Sequence, residues 1–146
     1  MKLNAKILGI KQLTRKFDSF KQEGLVKVAG ITRAVAGDIE AEAKILAPKD
    51  TGKLAQGIKT EPIDELTYRI LATEVYSAFM EFGTGGLVDI PKGWEALASQ
   101  FKGEGKKQIN LSPQPFMYPA FKKGEKLYHR DLKRALLLLN KKYNKK

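Results

Sequence analysis

The sequence predicts an α+β fold, with a long N-terminal helix and a C-terminal helix packed on a small antiparallel sheet and an inserted helical excursion. Three observations predict it. Leu13, Phe17, Phe20, Val28, Ile31, Val35, Ile39 and Leu46 recur mostly three or four residues apart, the spacing of one helix face. Two segments rich in strand-prone side chains, Leu54 to Ile63 and Leu66 to Ala72, are separated by the turn-forming Pro62 to Glu65, as in a hairpin. A final helical pattern runs from about Gly124 to Tyr143, with Leu132, Leu136 and Leu139 as its inward stripe.

Taken in order, the first third is helical, and Gly24 offers a break between a short helix ending near Glu23 and a longer one from Leu25 to Leu46. Gly30 and Gly37 lie inside the second helix, where each costs about 1 kcal/mol relative to Ala, so close packing on another element is the expected justification. Pro48 stops the helix and biases Ala47 towards extended angles. Val75 to Phe82 reads as a short helix, closed by Gly83-Thr84-Gly85-Gly86. Gly93 to Phe101, with Trp94, Leu97, Ala98 and Phe101 at helical spacing, is the inserted excursion, and Lys106 to Leu111 is a candidate third strand. Pro113, Pro115 and Pro119 mark an irregular crossing before the last helix. There, Leu137 and Leu138 widen the apolar surface beyond one seam, which points to a partner surface.

At 146 residues the chain is expected to form a single domain, residues 1–146, with 1–24 as an N-terminal helical arm. Its 42% hydrophobic and 29% charged residues place it in the globular range. No apolar run approaches the roughly 20 residues of a bilayer-spanning helix, and Met1 to Lys6 lead into no long apolar stretch, so a soluble, unexported protein is expected. Without cysteine, neither disulfides nor thiolate zinc sites are available. The net charge of +11 is concentrated at the C-terminus: residues 122–146 hold ten Lys or Arg against Glu125 and Asp131, hence +8. Such a segment is drawn to polyanions, although no groove-reading motif accompanies it.

Catalytic chemistry is not apparent. His129, the lone histidine, sits among Tyr128, Arg130 and Lys133 in a cationic helix, and Asp38, Glu40 and Glu42 are spaced as a solvated helix face. The glycine run at 83–86 lacks the Gly-Lys-Ser/Thr ending of a phosphate-cradling loop, and Tyr76, Phe79 and Phe82 share one helix face as core residues do. The expectation is a protein that is not an enzyme and carries no cofactor or metal.

Three signatures occur in a definite order. The first is Ala47-Pro48-Lys49-Asp50-Thr51-Gly52-Lys53-Leu54. The second is Tyr76 with Glu81-Phe82-Gly83-Thr84-Gly85, and the third Pro115-Phe116-Met117-Tyr118-Pro119-Ala120. In the first, Asp50 and Thr51 suit the acceptance of turn N–H bonds, Gly52 suits positive backbone angles, and Leu54 returns the chain to the core. Glu81 suits either the capping of local backbone donors or a contact with a neighbouring subunit; Phe116 suits either the core or a contact surface.

With a long helix before them and a C-terminal helix after, the signatures resemble the tail-completion family of minor tail proteins of long-tailed bacteriophages and prophages. The likeness covers roughly residues 25–140, with Gly57-Ile58 where the family usually has Ser-Ile and with 87–111 as an insertion. The resemblance implies a virion component at the neck or tail end, assembled in the host cytoplasm and mediating head–tail joining as an oligomeric ring. Its partners would be head-connector and tail-tube or tail-terminator proteins, with no membrane. The basic tail, residues 141–146, would place Lys141, Lys142, Lys145 and Lys146 against the DNA path. The alternative reading is a basic nucleic-acid-binding module.

Overall fold

The computed structural model describes residues 9–83, 92–94, 96 and 111–144. They form α1 (Ile10–Leu46), α2 (Lys53–Gly57), an antiparallel hairpin of β1 (Ile58–Pro62) and β2 (Tyr68–Ala72), α3 (Ser77–Phe82) and α4 (Met117–Tyr143). The fold is α+β, as the sequence predicts.

The apolar spacing of the first third gives one helix rather than two. α1 runs unbroken through Gly24 for 37 residues. The roughly 1 kcal/mol an interior glycine costs is offset by packing on α4. A side chain at Gly24 would lie 3.9 Å from Leu139 Cδ1, and one turn earlier Phe20 meets Tyr143 edge to face, ring centres 5.4 Å apart. α1 stops where Pro48 requires: Ala47 has the extended ψ of 135° and its N–H closes the last turn on Ala43 O.

α4 begins at Met117, seven residues before the expected Gly124. Pro119 therefore stands not in an irregular crossing but in the first helical turn, where its missing N–H costs nothing. α1 and α4 lie antiparallel, as their cross-links show. Thr32 faces Tyr128, Lys123 Nζ is 2.6 Å from Glu42 Oε2, and Lys142 Nζ is 2.6 Å from Glu23 Oε2.

Between Leu54 and Ile63 the chain first makes the turn of helix α2, so the first strand starts only at Ile58. Ile58 pairs with Ala72 and Thr60 with Ile70, and these alternate residues face α1, while Lys59, Glu61 and Arg69 point to solvent. The core joins Val35, Ile39 and Ala43 of α1 with Ala47, Leu54 and Ile58, and finally with Phe116 and Ala120, while Ile70 and Ala72 of β2 and Met80 of α3 pack against it.

In α4 the inward residues are Leu139, fully buried, and Leu132, half-buried; Leu136 is 55% exposed, a correction to the expected stripe. The hairpin is the whole sheet among the described residues. The expected third strand and helical excursion fall almost wholly outside them, and Leu111 is not in a strand.

Candidate functional site

The three signatures converge on the core. In the first, Pro48 ends α1, Gly52 adopts φ 74°, and the Thr51 hydroxyl accepts the Lys53 N–H at 3.5 Å. Asp50 is exposed and accepts no such bond among the described residues. Leu54 is 3% exposed and packs in one cluster with Ala47 and Phe116, so this signature meets the third inside the protein.

The second and third signatures meet through Glu81. α4 starts with Phe116 at its cap position, which makes no side-chain cap hydrogen bond, and has no acidic side chain in the first turn, so its leading N–H groups need acceptors from elsewhere. Glu81, buried at the end of α3, supplies them. Oε2 accepts the Phe116 and Met117 N–H groups at 2.8 and 2.9 Å, and Oε1 accepts the Tyr118 N–H at 2.9 Å. The next residue, Pro119, has no N–H to satisfy. A carboxylate against the positive end of a helix is further favoured by the peptide dipoles. Glu81 is thus a cap, but one that acts 35 to 37 residues along the chain rather than locally.

Gly83 makes this meeting possible. Its φ is 71°, and a Cβ there would stand 2.7 Å from Leu111 O and 3.0 Å from Pro113 N. Below it, the Gln114 N–H donates to Met80 O at 2.8 Å. Phe116 is 1% exposed, a core anchor. Trp94, from the expected insertion, packs edge to face on Tyr118 at 5.4 Å and against Phe82 at 6.0 Å, tying that segment to the same junction. Tyr76 is 39% exposed, not core. Thr84 and Gly85 lie outside the described residues.

A family model described as "Bacteriophage HK97-gp10, putative tail-component" matches residues 11–83, half of the chain. The chain belongs to the HK97-gp10-like family. The matched span holds α1, the hairpin, the first signature and the described part of the second, through Gly83. No curated protein and no solved structure matches the chain. Membership makes the protein a bacteriophage tail component and points to a structural role in the virion.

For a tail component the exposed surface matters as much as the buried junction. Leu136 and Leu137 of α4 line a shallow, open groove of about 480 Å³ with Phe20 of α1. A separate open groove of about 500 Å³ is lined by Ile31, Val35 and Leu138 together with Lys27, Arg130 and Arg134. Neither is an enclosed cleft. Among the described residues no group of acids and histidine is placed to hold a metal ion, and no helix is long and apolar enough to cross a membrane.

The expected DNA-path lysines are unequal. Lys142 is engaged by Glu23 and lies 5.5 Å from the Tyr143 ring centre, Lys141 is exposed, and Lys145 and Lys146 fall outside the described residues. Sequence reasoning missed Gly124 altogether as a contact residue, although a glycine inside a long helical pattern was the available signal. Glu81 was singled out, but not its partners; the lack of a capping side chain ahead of Met117 was the clue to them.

Proposed function

We propose that the protein completes the tail end or neck of the virion and mediates head–tail joining as a homo-oligomeric ring. It would contact head-connector proteins on one rim and tail-tube or tail-terminator proteins on the other. The observation that carries this reading is the exposed apolar surface on the α1–α4 pair of a tail-component chain. Leu13, Phe17, Leu136, Leu137 and Leu138 are all more than half exposed, and apolar surface of that extent on a rigid scaffold is characteristic of an assembly face. The ring itself would close through separate heterologous contacts repeated around an axis, which leave this face to other virion proteins and turn individually weak contacts into a lasting joint. The work is binding rather than turnover, in the host cytoplasm during assembly and in the finished particle.

The test is genetic and visual. Deleting the gene should leave DNA-filled heads and separate tails in electron micrographs; normal, joined virions without the protein would eliminate the reading. A second reading, a basic nucleic-acid-binding module, is favoured by the charge of +11. It requires the isolated protein to bind duplex DNA with strong salt dependence. Within the joining reading, Lys141, Lys142, Lys145 and Lys146 contact the DNA path. Replacing all four by Gln should then reduce DNA retention in joined particles, and unchanged infectivity would argue against the contact.

A further inference from the structure

The seam by which α1 packs on α4 does not end where α4 ends. Going back along α1 from Ile31, the inward residues Val28, Gly24 and Phe20 continue as Phe17, Leu13 and Ile10 at the same three- and four-residue spacing. Phe20 is matched to Tyr143, the last helical residue of α4. Beyond that point Phe17 is 64%, Leu13 54% and Ile10 58% exposed. More than two helical turns of core-type seam therefore have no partner among the described residues, and Phe20, one turn from Phe17 on the same face, also lines the groove of Leu136 and Leu137.

The charge around this surface selects the occupant. Residues 10–23 and 133–144 together carry eight Lys and Arg against Asp18 and Glu23, and Glu23 already accepts hydrogen bonds from Lys142 and Tyr143. A second copy of the same end would bring positive charge against positive. A nucleic acid would satisfy the charges but leave large apolar side chains in water. A helix with one apolar face and acidic flanks satisfies both, and it continues the packing that α4 supplies further along.

Resting on the head–tail joining reading, we propose that Ile10, Leu13, Phe17 and Phe20, with Leu136 and Leu137, form a docking groove for an acidic amphipathic helix of another virion protein. The full chain should bind a labelled helical peptide with leucine at three- and four-residue spacing and glutamate on its flanks, measured by fluorescence anisotropy. The same peptide with lysine for glutamate should not bind. Leu13→Ser with Phe17→Ser should weaken binding about ten-fold or more, while Val75→Ser, at a still more exposed apolar position elsewhere, should leave it unchanged. Because Leu13 and Phe17 are exposed, the folded state should survive, as circular dichroism will verify.

In infected cells, a photo-crosslinking phenylalanine analogue at position 17 should attach to an acidic segment of a different virion protein. Cross-linking only to a second copy or to DNA, stronger binding to anionic lipid vesicles than to the acidic peptide, or no loss on double substitution would each overturn the proposal. The two readings fail separately. If deletion blocks joining but the double-serine chain restores it fully, the groove is wrong and the joining role stands. If deletion leaves joining intact, the role itself is wrong.

Discussion

At the residue scale, one carboxylate connects two distant parts of the sequence. Glu81 is 6% exposed and holds three backbone N–H groups that no other side chain among the described residues reaches. Glu81→Gln keeps the shape but turns an amide donor towards one of those groups. It should lower the unfolding free energy by about 2 kcal/mol, the typical penalty for a buried donor without an acceptor, measured by denaturant titration. An unchanged midpoint would show that α4 is held by its apolar face alone. Gly83→Ala should also be destabilising, because the left-handed φ of 71° and the approach of Leu111 O act against any Cβ. A glycine-to-alanine change that left stability intact there would contradict the geometry.

At the scale of elements, the glycines of the two long helices divide by what faces them. A Cβ at Gly124 would overlap the Ile39 side chain, 2.6 Å from Cδ1, and Ile39 is itself buried. Gly124→Ala gains helix propensity of about 1 kcal/mol but forces two packed helices apart, at about 1–3 kcal/mol, so the net effect should be destabilising. A Cβ added at Gly30 or Gly37 would meet nothing of another element within 4 Å among the described residues, so the close packing expected of them is not seen there. Gly30→Ala and Gly37→Ala should each raise stability by up to about 1 kcal/mol. Thermal unfolding of the three variants side by side tests both halves of the argument, and a fall in stability for Gly30→Ala would refute it.

For the whole molecule, the outer end of the α1–α4 pair is held by an ion pair as well as by aromatic packing. The Lys142 ammonium donates to Glu23, and with the Tyr143 hydroxyl and Lys27 nearby it keeps the Glu23 carboxyl below the ordinary glutamate value of 4.5. A carboxyl lowered in the folded state stabilises fully above its unfolded value and loses that contribution as pH falls through the lower, folded value. Wild type should therefore be more stable than Glu23→Gln at neutral pH. The two denaturation midpoints should converge as acid protonates Glu23, and added salt should narrow the gap at neutral pH because the pair is exposed. A gap independent of pH would assign the effect to packing.

Local chemistry made much of this molecule legible. The spacing from Leu13 to Leu46 shows a helix face, Pro48 its end, and Thr67, Tyr68, Ile70 and Leu71 around the Pro62–Glu65 turn a hairpin, because periodicity, the missing proline N–H and strand-prone side chains act over a few residues. The order of three signatures carried the family resemblance for the same reason. Partnership was not legible. Gly24 suggests a break until Leu139 and the Phe20–Tyr143 pair hold the turn, Gly124 looks like a helix start until Ile39 is set against it, and Glu81 finds its donors 35 residues away. Leu136, read as core, and Phe17, on the same stripe as Val35, turned out exposed because a sequence pattern reveals that a face is apolar but not where the element covering it stops. Where α4 ends along α1 is a property of the tertiary structure, and it separates the buried part of that seam from the part left to meet another protein.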